Sequence, residues 1–128
     1  MRTRTLVLLS AAIEAVTGLA LITDPDLVAR VLLGVGLSGS GIVFGRVAGF
    51  GLLSLGLACL PSGDEATAQV TRALFTYDLL ATLYLGYLRI GGGFAGYLLW
   101  PSVSLHGLLT LLFARLAYGR VRQTRPSP

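Results

Sequence analysis

The chain has 128 residues, of which 54% are hydrophobic and 12% charged, and its mean hydropathy is +0.77. Because soluble domains carry about 25% charged residues, this composition excludes an ordinary soluble protein and indicates an integral membrane protein of one domain, residues 1–128. The net charge is +4 and all ten basic residues are arginine, but no soluble surface is left on which they would form a nucleic-acid-binding face.

The first predicted element is a membrane-spanning helix over about residues 5–22. Arg2 and Arg4 before this apolar run resemble the start of a signal peptide. Glu14 inside the run, and the lack of a small-residue cleavage site after it, favour a helix that is retained.

A short amphipathic helix is predicted between the first two spans. Asp24 is a capping residue, Pro25 stands at the first helical position, and the pattern ends near Gly34. We expect this helix to lie along the outer membrane surface, because Leu27, Val28, Val31 and Leu32 are apolar and Arg30 stands between them.

The second predicted span, about residues 41–60, has small residues on one face. Gly41, Gly45 and Gly49 are four residues apart, and Gly56 follows one heptad later. Such a face lets another helix approach closely, which is how helices associate in lipid. The partner is either a helix of this chain, which we expect, or a neighbouring subunit.

Two more spans are predicted over about residues 70–90 and 97–118, each near the 20 or so residues that a bilayer core of about 30 Å requires. A turn at residues 91–93 separates them, and Tyr97 and Trp100 are placed to anchor the last helix at the lipid headgroups. The predicted fold is all-α, an antiparallel four-helix membrane bundle with one interfacial helix.

The distribution of arginines predicts the orientation. With the N-terminus inside, only Arg30 and Arg89 lie outside, so both termini are expected in the cytoplasm. The cytoplasmic arginines are then Arg2, Arg4, Arg72, Arg115, Arg120, Arg122 and Arg125.

Each predicted span carries one strongly polar residue, namely Glu14, Arg46, Asp78 and His106. A charge at the centre of a spanning helix costs about 2.5 to 3.5 kcal/mol, so these side chains should face one another, with Glu14 paired to Arg46 and Asp78 to His106. Polar neighbours about one turn away extend the same faces: Ser10, Thr17, Thr82, Ser102 and Thr110.

Three interpretations of this predicted cluster remain open: a buried polar lock that fixes helix register, a site for a ligand, proton or cofactor, and a contact with a partner subunit. His106 is the only histidine, so ligation of haem or a chlorophyll-type pigment is limited to a single axial ligand. No local spacing indicates a zinc or other metal centre, Cys59 is the only cysteine, and no catalytic residues are recognised.

The chain resembles the DoxX-like small four-helix bacterial membrane proteins. The resemblance rests on Gly45-Arg46-Val47-Ala48-Gly49, Leu55-Gly56-Leu57, Tyr77-Asp78-Leu79-Leu80, Leu99-Trp100-Pro101 and His106. It implies a compact bundle in a bacterial cytoplasmic membrane, in a group associated with quinone-linked or redox complexes.

The function predicted first is a non-enzymatic accessory or assembly subunit of a larger membrane complex or homo-oligomer, with membrane lipids and other membrane subunits as its partners. The alternative is a membrane protein that handles protons or a small quinone-like molecule through Glu14, Arg46, Asp78 and His106. A third hypothesis is pigment or haem attachment through His106.

Overall fold

The computed structural model describes residues 3–60 and 66–123, which form helices and connecting turns without a strand in those ranges. Four long helices and one short helix follow one another along the chain. They are α1 (Thr3–Thr23), α2 (Pro25–Leu33), α3 (Ser40–Ala58), α4 (Ala66–Ile90) and α5 (Leu99–Gln123). The predicted all-α class is confirmed for the described residues.

The short helix α2 has the boundaries that its sequence predicts. The Asp24 side chain accepts a hydrogen bond of 3.0 Å from the backbone N–H of Leu27, and Pro25 occupies the first turn. At the other end Gly34 adopts the left-handed conformation, with φ of 79°, and its N–H donates to the carbonyl of Arg30. Capping chemistry therefore defines both ends of α2.

Asp26 ties α2 to the turn that leads into α3. Its carboxylate accepts a hydrogen bond of 2.8 Å from Arg30 Nε and one of 2.6 Å from the backbone N–H of Leu37. The Arg30 side chain and then the Leu37 amide hold the pKa of Asp26 below its ordinary value, because both stabilise the ionised form. The carboxylate is thus ionised at neutral pH, and the contact is lost only as the pH falls through that lowered pKa.

Helices α1 and α3 pack in close antiparallel contact through glycine. A Cβ placed on Gly18 would lie 2.5 Å from the backbone nitrogen of Leu53 and 2.7 Å from the carbonyl oxygen of Gly49. One placed on Gly56 would lie 2.7 Å from the carbonyl oxygen of Ala11. Backbones this close leave no room for a side chain at these positions.

The predicted glycine face is therefore directed mainly inward. Gly49 and Gly56 lie against α1, and Gly45 lies against the ring of Pro25, at the start of α2. Gly41 contacts only the side chain of Leu37 in the preceding turn. Three of the four glycines make room for helices of the same chain. The partner of this face is therefore mainly internal, as expected, and not a neighbouring subunit.

Helices α4 and α5 form a second antiparallel pair. Arg89 near the end of α4 stacks over the ring of Trp100 near the start of α5, at 5.8 Å, and Asp78 meets His106 further along. The turn between them is fixed to α2, since the N–H of Leu98 donates to the carbonyl of Val31 at 2.9 Å. The two helix pairs are therefore linked at the end of the molecule where α2 lies.

An apolar core joins the two pairs at the opposite end. It combines the first half of α1 with the end of α3, the first half of α4 and the second half of α5. Cys59 lies in this core, as expected for a small apolar packing residue. Its buried members are Leu6, Val7, Ala11, Cys59, Leu74, Leu109 and Phe113.

Three of the described helices are long and apolar enough to cross a membrane by length and composition, namely α1, α3 and Leu99–Tyr118 of α5. Of the four predicted spans, the first, second and fourth are thus supported. The third, residues 70–90, is not. Helix α4 has 25 residues, but Arg72, Asp78 and Arg89 lower its apolar character.

Some predicted features lie outside the described residues. They are residues 61–65, which follow the second predicted span, and the side chains of Arg2, Arg120, Arg122 and Arg125. The orientation predicted from the arginines stays a prediction.

The Gly18–Gly49 contact gives a stability prediction. Gly49→Ala should destabilise the fold by about 1–3 kcal/mol, because the new methyl group would lie 2.7 Å from the carbonyl oxygen of Gly18. The measurement is denaturant unfolding in detergent micelles, followed by circular dichroism.

The matched control is Gly86→Ala on α4, where a Cβ would meet no atom within 4 Å. This variant should be neutral or gain up to about 1 kcal/mol, since alanine favours helix more than glycine does. Equal effects of the two substitutions would contradict the close packing of α1 on α3.

Candidate functional site

Three of the four predicted polar residues meet in the interior. Glu14 from α1, Asp78 from α4 and His106 from α5 are 1%, 0% and 9% exposed. One ligand atom from each residue lies within 4.8 Å of the other two. We call these three residues the acid–histidine cluster. It joins α1 to the α4–α5 pair, next to the apolar core.

The Asp78–His106 pair forms as predicted. His106 Nδ1 lies 2.8 Å from Asp78 Oδ1, and the contact joins residues that are 28 positions apart. An ionised carboxylate only accepts hydrogen bonds, so with Asp78 ionised the proton lies on Nδ1 and is donated to the acid. The pair therefore orients the imidazole ring.

Tyr77 completes the cluster, although sequence reasoning did not include it. Its ring meets the His106 ring edge to face, with centroids 5.8 Å apart and planes at 80°. The Tyr77 and Glu14 side chains also interact with each other electrostatically. Its only signal in the sequence is its position next to Asp78 on α4, where a tyrosine would equally be expected at a lipid interface.

The threonines predicted to support the cluster act through the backbone. Thr82 Oγ1 donates to the carbonyl of Asp78 at 2.7 Å, and Thr110 Oγ1 donates to the carbonyl of His106 at 2.8 Å. Each hydroxyl is thereby satisfied within its own helix. Thr17 and Ser102, also predicted on this face, are half-buried.

Three buried oxygen atoms in or beside the cluster lack a hydrogen-bond partner within residues 3–60 and 66–123. They are Ser10 Oγ, Glu14 Oε1 and Asp78 Oδ2. Leaving a buried polar atom unpaired costs about 1–3 kcal/mol, and more for a charged group. A proton, a water molecule or a bound ion would each give such atoms a partner.

Arg46 lies outside the cluster. Its side chain is exposed on α3, whereas Glu14 is buried, so the predicted Glu14–Arg46 pair is not formed. Helix α3 meets α1 through Gly49 and Gly56, and an arginine does not fit into a contact where the two backbones touch. The cluster therefore contains two acids and one histidine, without a permanent cation.

Comparisons with known proteins add no relative. No protein-family model, no curated protein and no solved structure matches this chain. The resemblance to DoxX-like proteins stays a prediction, and the cluster is interpreted from its own geometry.

The Asp78–His106 hydrogen bond can be tested directly, because a single histidine gives a single imidazole spectrum. In ¹⁵N-histidine-labelled protein, the Nδ1 signal should show a protonated, hydrogen-bonded nitrogen. Asp78→Asn should reduce the population protonated at Nδ1 and destabilise the fold by about 1.5–3 kcal/mol, the usual contribution of a hydrogen bond to a charged group.

The control is Thr110→Val, which removes a hydroxyl beside His106 that donates to the backbone and not to the ring. Its Nδ1 signal should match that of the unmodified protein. An Nδ1 signal that is insensitive to Asp78→Asn would rule out the pair.

Proposed function

We propose that this chain is a multi-pass membrane protein that binds a small polar, proton-exchanging molecule in its interior, at the acid–histidine cluster. A quinone or quinol headgroup is the ligand class that fits this chemistry. The single observation that carries the proposal is that Glu14 and Asp78 each have a buried oxygen without a partner among the described residues, beside an oriented histidine.

The membrane setting is supported by three helices that are apolar and long enough to cross a bilayer. We propose α4 as the fourth span, because it pairs with α5 along its length and turns Asp78 into the protein interior. The arginine distribution supports cytoplasmic termini, and the DoxX-like resemblance supports a bacterial cytoplasmic membrane. Helix α2 would then lie at the outer surface.

The chemistry of the cluster follows from its donors and acceptors. Glu14 Oε1 and Asp78 Oδ2 are free to accept hydrogen bonds from a ligand hydroxyl. His106, oriented by its hydrogen bond with Asp78, places an imidazole beside these oxygens, and an imidazole can pass a proton to or from a ligand. Arg46, once expected to stabilise negative charge here, is exposed and has no part in the proposed site.

A binding experiment tests this function. A short-chain benzoquinol should bind the purified protein in detergent, and Glu14→Gln or Asp78→Asn should weaken binding at least about tenfold, the effect of losing one hydrogen bond to a buried charged group. Binding is measured by equilibrium dialysis, with circular dichroism to verify folding.

The matched control is Arg46→Gln, which removes a charge from the exposed face of α3 and should leave binding unchanged. Benzoquinol binding that is equally strong in the Glu14 and Asp78 variants would refute the proposed site.

The accessory-subunit hypothesis remains a second proposal, and one observation favours it. Helix α3 has a row of small exposed residues on its outward side, which none of the described helices covers: Ala48, Gly51, Ser54 and Ala58. A Cβ on Gly51 would meet no atom within 4 Å. Such a row permits close approach by a helix of another subunit or of a second copy.

Particle mass in mild detergent tests the second proposal. An oligomer or a complex is expected, and Gly51→Leu should dissociate it by filling the small-residue row, while Leu57→Ile on the same helix should not. A monomeric particle without a co-purifying protein would refute it.

The absorption spectrum of the same particle tests pigment or haem ligation through His106.

A further inference from the structure

We propose that the acid–histidine cluster binds one divalent transition-metal ion, with Glu14, Asp78 and His106 as its protein ligands. This inference rests on the proposed function in that it names a ligand class for the same internal site. It goes beyond the sequence, in which no local spacing indicated a metal centre.

The geometry of the three donor atoms fits a single ion. Two donors about 2.1 Å from an ion and at right angles around it lie about 3 Å apart. The observed separation of His106 Nδ1 and Asp78 Oδ1 is 2.8 Å. One oxygen of Glu14 lies within 4.8 Å of a donor atom on each of the other two residues, so a small rotation of its flexible side chain completes the set.

The position of the donors on the fold favours a persistent site. Each ligand comes from a different long helix, and α1 is held by glycine contacts with α3 while α4 and α5 are held by the apolar core. Metal sites in helix bundles are built in this way, from inward side chains on facing helices. The three helices therefore hold the donors close together before an ion arrives.

The charge of the cluster also favours a cation. Two carboxylates are buried with an unpartnered oxygen each, and within the described part of the chain Arg46 does not reach them. An unpaired charge is costly in an apolar interior. A divalent ion beside two carboxylates and a neutral imidazole leaves no net charge, and it gives Glu14 Oε1 or Asp78 Oδ2 a partner.

The donor types indicate which ions fit. Mg²⁺ and Ca²⁺ prefer oxygen ligands alone, whereas an imidazole nitrogen with carboxylates suits Zn²⁺, Mn²⁺, Fe²⁺ or Co²⁺. Three protein ligands leave at least one coordination position for an exogenous molecule. Ser10 Oγ, one turn before Glu14 on α1, is a further buried oxygen without a hydrogen-bond partner in the described part of the chain.

Cobalt is the probe for the decisive experiment, because Co²⁺ bound to nitrogen and oxygen ligands absorbs visible light. The purified full-length protein, stripped with a chelator, should bind one Co²⁺ per chain and develop d–d bands that Zn²⁺ abolishes by competition. In ¹⁵N-histidine-labelled protein, Zn²⁺ should also convert the protonated Nδ1 signal into that of a metal-bound nitrogen.

Three variants locate the ion. Glu14→Gln, Asp78→Asn and His106→Gln should each weaken Co²⁺ binding by at least about 10–100-fold, the loss found even when only a supporting group of a metal site is removed. The matched control is Asp24→Asn, since asparagine caps α2 as well as aspartate does and Asp24 is exposed. Circular dichroism identifies any variant that fails to fold, and the Zn²⁺-dependent Nδ1 signal of the unmodified protein remains decisive.

The outcomes separate this inference from the proposed function. Absence of Co²⁺ bands and of the Nδ1 change refutes the metal site, and the benzoquinol experiment then decides the proposed function by itself. Co²⁺ binding that survives in all three folded variants also refutes the site, because the ion is then bound elsewhere. One Co²⁺ per chain, lost in the variants and kept in the control, supports the metal site whether or not benzoquinol binds.

Discussion

A polar side chain that is withdrawn from water must find its partners inside the protein, and this constraint organises the interior of the bundle. Glu14, Asp78 and His106 belong to three helices, and their approach satisfies part of their hydrogen-bonding capacity through the Asp78–His106 bond. The α1–α3 pair and the α4–α5 pair therefore meet at a position that these side chains define. The apolar core beside them adds burial, but apolar side chains alone specify register weakly.

Close backbone packing supplies the second requirement, a rigid frame for the cluster. Gly18 and Gly49 bring α1 and α3 together so closely that neither helix can rotate without a clash. Glu14 lies one turn before Gly18, so its direction is set by the same contact. Capping by Asp24 and the Asp26–Leu37 hydrogen bond then fix the turn between these two helices.

Features set by neighbouring residues were predictable from the sequence, whereas features set by tertiary contact were predictable only in part. The ends of α2 followed from Asp24, Pro25 and Gly34, because capping acts within one turn. The Asp78–His106 pair followed from the cost of intramembrane charge. Arg46 was assigned to the interior by the same argument, but an arginine side chain is long enough to reach a polar surface, and here it is exposed.

The absence of a cation from the cluster determines what the cluster can accept. Ionised Asp78 and Glu14 with a protonated His106 carry a net charge of −1, so the site becomes neutral when it takes up one more proton. With a divalent ion bound and His106 neutral, the cluster would also have no net charge. Protons and the metal ion would therefore compete for the same carboxylate oxygens. Exchange between these two neutral states releases about two protons per ion, one from the imidazole and one from a carboxyl group. Occupancy of the proposed metal site would thereby be coupled to pH through residues that lie on three different helices.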